Sequence, residues 1–313
     1  MRGLAWASPA DMEQLRAALQ SARRPLLMLG GTVWTPQACA DMTAFAERAE
    51  LPVTCAFRFQ DVNDNRRGNY VGDVGIGINP RLARRVRDAD MLLLVGPRLG
   101  EMTTSGYSLV EAPRPRQRLI HVHAGALELG RVYQGELLIN AGMPQFAAAA
   151  AQLQIDGGAW SEWLTSARAD YMEWNDKPTA IPGKVQMAEV IAWLRERLPA
   201  DSILTTGSGN FTGFVQRYYR FTGVRTQVGS TNGSMVYGVE ETAQFAPAFE
   251  RCLAAGRPAL IEVRIDSQAI TTSTTLDSIR LLAQDDASLI GRAGTGRVPL
   301  PSAATTHGIR LWR

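Results

Sequence analysis

Small residues that bring backbone amides close to a bound group recur at three places in this chain, each in a strand-to-helix context. In TGSGNFTGF, residues 206–214, Gly207 and Gly209 follow an apolar run and Asn210 stands where it could cap the next helix. Such a turn can admit a charged group to a helix N-terminus, where unpaired N–H groups point outward. The same letters also spell a plain turn, and both readings stay open. Gly30-Gly31 closes the run PLLMLGG, residues 25–31, where phosphates approach the backbone in parallel sheets. No G-x-G-x-x-G accompanies it, so a tight turn stands beside the ligand reading. The third stretch, NGSMVYGV, residues 232–239, is a loop of small residues running directly into the helix-like segment that begins at Glu240.

Other candidate chemistries fail on spacing. Asp61, Asn63 and Asn65 alternate like the start of a calcium loop, but Arg66 stands where the glycine is needed and Gly72 where the closing glutamate is needed. His121 and His123 share one face of a strand without an obvious third ligand. There is no G-x-S-x-G elbow, and Glu240-Glu241 suits a helix start, where carboxylates complement the dipole. The three cysteines, Cys39, Cys55 and Cys252, are odd in number and widely spaced, which suits buried thiols in a reducing compartment.

The elements that must hold these residues alternate strand and helix. Ser8-Pro9, Thr35-Pro36 and Asn79-Pro80 each predict a helix start, with a capping side chain followed by proline at the first position. Between and after these helices, apolar runs at 25–31, 51–57, 91–96, 118–124 and 136–141 predict buried parallel strands. The fold class is α/β: a Rossmann-like parallel-sheet domain over residues 1–153, with IDGGAW, residues 155–160, as linker. Residues 154–282 predict a second α/β domain with helices near 160–175, 184–198 and 241–256 and strands at 202–207, 224–229 and 259–265. Three strands are few for such a sheet. Residues 283–313 read as a loose tail.

With 313 residues, 45% hydrophobic content, 20% charged content and a net charge of +3, the chain suits a soluble globular protein. So small a net charge argues for no nucleic-acid partner, and the basic run Arg114 to Arg118 is short, proline-interrupted and free of aromatics. No apolar run is long enough for a membrane span, and the N-terminal stretch has no signal-peptide core, so a cytoplasmic location is expected.

Taken together, LLMLGG, GDVGIGINP, LLLVGPRLGEMTTSGY and IHVHAGALELGR resemble the central domain of thiamine-diphosphate-dependent enzymes of the acetolactate synthase type. ILTTGSGNFTGF, GSTNGSMVYGV, FAPAFERCLAAGRPALIEVRID and ITTSTTLDSIR resemble pieces of that family's cofactor domain, in family order. The resemblance implies a thiamine diphosphate pocket in which Gly207, Ser208, Gly209, Asn210 and Phe211 face the diphosphate. It also implies that Gly233, Ser234 and Met235 hold the bent aminopyrimidine. The activity implied is decarboxylation of a 2-oxo acid such as pyruvate followed by carboligation, in a homo-oligomer. Gly30, Gly31 and Arg98 match nucleotide- or flavin-facing positions. FAD itself is not expected, because positions that are acidic in flavin-binding members read His123 and Gly125.

The departures are specific. The family's G-D-G and later N-N residues hold Mg²⁺ against the diphosphate, and neither motif occurs here, so no metal ligand is assigned. Val239 passes directly to EETAQFAPAFERCLAAG, which implies an internal deletion near 239. The domain carrying the family's catalytic glutamate has no counterpart in these residues, so no catalytic residue is assigned. Val236 replaces the glycine usual after the methionine. The expectation is therefore a truncated relative, inactive alone. Two alternatives stay open: a non-catalytic nucleotide-binding or assembly module, and a split enzyme completed by a partner chain.

Overall fold

The computed structural model describes residues 5–207, 209–229, 245–247, 249–250, 254, 266, 268–269, 271–289 and 309–310. The chain forms two compact units: residues 1–176 with 199–202 and 220–227, and residues 177–198, 203–219 and 228–313.

In the first unit, β1 (Pro25–Leu29), β2 (Val53–Cys55), β3 (Tyr70–Asp73), β4 (Met91–Val95), β5 (Arg118–His123) and β6 (Leu137–Asn140) make a six-stranded sheet. Its order is β3-β2-β1-β4-β5-β6, and all neighbouring strands pair in parallel. Every residue of β1 and β4 is buried, as expected for central strands covered on both faces. One face packs Leu27, Leu29, Phe45 and Leu93; the other packs Leu26, Met28, Leu92 and Leu94, as alternate residues of a strand must.

The predicted caps are present. Ser8 and Asp11 form a reciprocal capping box at the start of α1 (Pro9–Ser21). Thr35 Oγ1 accepts from the Ala38 amide at α2 (Pro36–Arg48), and the Asn79 side chain accepts from the Arg81 amide at α3 (Pro80–Asp88). Strand β3 was not among the expected strands, because YVGD is short and carries a glycine. The α4 helix (Met143–Ala150) follows β6 and presents Phe146 and Ala147 to the core.

The first unit runs past the expected boundary at 153. Residues 155–160 are not a free linker: Trp160 is buried and its indole donates to the Ala49 carbonyl at 2.8 Å. Helix α5 (Ser161–Asp176) is held to the sheet by Trp163, whose indole donates to the Pro25 carbonyl at 3.0 Å. Asp170 of α5 pairs with both Arg81 and Arg85.

The second unit contains α6 (Met187–Arg197), β7 (Leu204–Thr206), α7 (Thr212–Tyr218), β8 (Gln227–Gly229) and the helix Leu276–Leu289. Its strands stand in the order β8-β7-β9, where β9 is Ile309–Arg310 and pairs antiparallel to β7. The expected loose tail is thereby corrected at two places: residues 283–289 continue a helix, and 309–310 pair with a strand. The expected strand 224–229 shrinks to 227–229, because Arg225 adopts φ 71° in a turn that donates its amide elsewhere. The expected strand at 259–265 lies outside the described residues.

Candidate functional site

Three groups of residues singled out by type and spacing can now be placed. The first lies at the C-terminal ends of β1 and β4, where the strand order reverses and doubly wound sheets open a crevice. Here the glycines serve each other. Gly31 has φ 73°, and a Cβ on it would stand 2.0 Å from the Gly96 carbonyl oxygen. Gly96 has φ 89°, and a Cβ there would stand 2.2 Å from the Gly30 oxygen and 2.7 Å from Met143 Sδ. Two strand-end turns thus interlock backbone against backbone, which only glycine permits. The Trp34 indole closes the turn by donating to the Gly30 carbonyl at 2.8 Å. This contact accounts for the glycine pair without a ligand.

Arg98 follows that turn with its side chain 73% exposed, 3.6 Å from Glu128, which also pairs with Arg131. His121 and His123 stand on one face with ring centroids 5.9 Å apart. They do not converge on a shared ligand. His121 Nε2 is 3.0 Å from the Pro97 carbonyl, so that nitrogen carries the proton. Burial lowers the His121 imidazole to about 4, which keeps the ring neutral. His123 Nδ1 accepts from the Gly125 amide at 3.0 Å. Among the described residues no three His, Cys, Asp or Glu side chains gather into a metal site.

The second group is the turn after β7. The Thr212 hydroxyl donates to the Gly207 carbonyl at 2.8 Å and the Thr212 amide donates to the Gly209 carbonyl at 3.0 Å. Phe211, buried, occupies the cap position in a helical conformation, and no side chain caps the helix. The expected Asn210 cap is therefore corrected. The chain winds into α7 one residue later, and Asn210 lies exposed. Arg217 in α7 is spent internally, donating to the Thr272 carbonyl at 2.7 Å and lying over the Tyr218 ring. Ser208, Gly233, Ser234, Met235 and Val236, with Glu240 and Glu241, lie outside the described residues.

The third group is the Asp/Asn run first weighed for calcium. It binds the chain's own backbone. Asn65 is fully buried; its side chain accepts from the Phe221 amide at 3.0 Å and donates to the Gln60 and Asn63 carbonyls. The Asn65 amide donates to the Phe221 carbonyl at 2.8 Å. Asp61 Oδ2 accepts from the Arg225 amide at 2.7 Å and the Gln227 amide at 3.3 Å. Gln60 and Gln227 bond twice, amide to side chain and side chain to side chain, at 3.0 and 3.1 Å. This is why residues 220–227 belong to the first unit although they follow β7 and α7 in sequence. Periodicity could not reveal this. The only signal was a cluster of short polar side chains in a run without a helix or strand pattern.

With this geometry in view, comparison with known proteins adds the lineage. Residues 12–150 match the family described as thiamine pyrophosphate enzyme, central domain. The chain is 22% identical over 231 residues to the acetolactate synthase isozyme 2 large subunit of Escherichia coli, covering 74% of this chain and 41% of that protein. It is 25% identical over 229 residues to the acetolactate synthase large subunit of Parasynechococcus marenigrum, covering 71% and 36%. It is 27% identical over 238 residues to the sulfoacetaldehyde acetyltransferase of Rhodobacter capsulatus, covering 67% and 39%. The chain spans about two-fifths of the length of these relatives. The six-stranded sheet occupies the matched residues, so sequence match and fold agree on the same segment. Residues 12–150 are thus similar to the central domain of thiamine pyrophosphate enzymes, and the chain as a whole is similar to acetolactate synthase large subunits.

Proposed function

We propose that this chain keeps the central-domain scaffold of a thiamine-diphosphate-dependent carboligase but does not by itself decarboxylate a 2-oxo acid. The observation that carries this reading is a contrast within the chain. The central sheet has all six strands in the order of a doubly wound fold. The residues from Val239 onward pass directly into EETAQFAPAFERCLAAG, without the G-D-G and N-N residues that would hold Mg²⁺. A diphosphate set in a partly dehydrated turn without a cation loses several kcal/mol of compensation. The turn Gly207 to Phe211, with Gly233 to Met235, would be the remnant of the cofactor pocket. Its chemistry in an intact relative would be that of an electron sink supplied by the cofactor.

The test is a decarboxylation assay of the pure chain with thiamine diphosphate and Mg²⁺, offering pyruvate as substrate. A background rate is expected. Turnover clearly above background would overturn the reading. If activity appears only after a co-purifying chain is added back, the split-enzyme alternative takes its place. The exposed Arg98 beside the strand-order reversal favours one further reading, a nucleotide-binding or assembly module. Adenine nucleotides or flavins raising the melting temperature would support that version, and no shift would remove it.

A further inference from the structure

We infer that the C-terminal strand β9 is a removable cover on the edge of β7, and that the uncovered edge fits β7 of a second copy of this chain. Within the second unit β7 lies between β8 and β9, with Thr205 opposite Arg310 and Thr206 opposite Ile309. The β7–β9 pairing is antiparallel, and no tight turn imposes it. Helix α7, β8 and the helix Leu276–Leu289 all intervene between the two strands in sequence. Residues 290–308, with four glycines and two prolines among them, then lead to β9. A chain end that returns over so much sequence gains its place because β7 offers N–H and C=O groups on that side that need partners.

Strand β7 is poorly equipped to stand at an edge. Its segment Ser202-Ile203-Leu204-Thr205-Thr206-Gly207 is rich in β-favouring residues and holds none of the charged residues or prolines that edge strands use against further pairing. Leu204 and Thr206 are buried, while Ile203 beside them is 56% exposed. Strand β9, by contrast, is two residues long, and so short a strand offers little ladder to a further one. Among the described residues the sheet ends there. With β9 displaced, β7 becomes the edge, and its open ladder is a template for another strand. Two identical edge strands related by a two-fold axis meet antiparallel, which is the sense in which β7 already accepts β9. A second copy therefore supplies the partner that this edge is shaped to take. While β9 is intact it holds the edge, because a strand on the same chain competes at a high effective concentration.

Sedimentation velocity and hydrogen exchange test the cover, on the full chain and on the double variant Ile309→Pro/Arg310→Pro, which has no backbone N–H at either position of β9. Neighbouring residues of a strand send their amides to opposite sides, so one of the Thr205 and Thr206 amides faces β9. In the full chain that amide is expected to be protected equally at every concentration. In the variant the mass is expected to double relative to the full chain as concentration rises. Protection of that amide should follow the mass, kept in the paired species and lost on dilution. A variant with the mass of the full chain at every concentration would overturn the inference. Doubled mass with that amide unprotected would place the new contact elsewhere and overturn it as well. So would a full chain in which the amide facing β9 is unprotected. If the prolines prevent folding, seen as lost protection of the Ile191 amide in α6, a chain ending at Thr306 is measured against the same outcomes.

Discussion

At the scale of single residues, the clearest constraint is the glycine interlock at the strand-order reversal. Gly96→Ala would place a Cβ 2.2 Å from a backbone oxygen at a φ of 89°. We expect a loss of about 2–3 kcal/mol in denaturant unfolding. Gly100→Ala meets nothing within 4 Å and should change stability by less than about 0.5 kcal/mol. His121 supplies a second prediction. Its folded-state value near 4 lies below the ordinary 6.5, so the stability it lends is present above 6.5 and disappears as pH falls through about 4. His121→Asn should remove that acid-dependent component, up to about 3 kcal/mol, from the pH profile of unfolding. A profile with the same acid limb in wild type and variant would discount this role.

At the scale of elements, the helix α5 ends the first unit's long continuous stretch, which residues 199–202 and 220–227 later rejoin. Trp160, Trp163 and Arg168 together tie residues 158–176 to α2, β1 and the loop before β3. A chain ended at Asp176 should therefore resist limited proteolysis, and one ended at Leu153 should be cut rapidly, having lost Trp160 and Tyr171 from its core. Equal resistance of the two would show that α5 adds nothing. Arg168→Met should cost about 1–3 kcal/mol in the full chain, because the backbone carbonyls at Asn65, Arg66 and Tyr70 lose a shared donor.

At the scale of the whole molecule, the two units differ in what their sequences still carry. The first holds a six-stranded parallel sheet; the sequence of the second contains neither G-D-G nor N-N, the residues expected to seat a cation beside a diphosphate. On that basis thiamine diphosphate with Mg²⁺ should shift the unfolding midpoint by less than about 1 °C, since a ligand stabilises only in proportion to its occupancy. A shift of several degrees would mean that a pocket forms despite the missing motif. Among the described residues no helix is long and apolar enough to cross a membrane.

Much of the first unit was legible in the residues themselves. Ser8, Thr35 and Asn79 each announced a helix because a short polar side chain before proline caps the first turn by local bonds. The runs MLLLVG and PLLMLGG announced central strands because burial on both faces demands continuous apolar sequence. Those are local rules, or rules of composition, and they need no knowledge of distant partners. What tertiary structure alone decided were the non-local choices. Asp61 and Asn65 spelled part of a calcium loop, yet their partners are amides about 160 positions away, reached only when the chain doubles back. Gly31 and Gly96 are 65 residues apart and explain one another only once β1 and β4 lie side by side. Trp160, set in what spelled a linker, is core because the sheet beside it leaves a surface that a large apolar side chain must cover. A hydrogen bond or a buried face is satisfied by whichever group the fold delivers to it, and sequence spacing does not say which group that is.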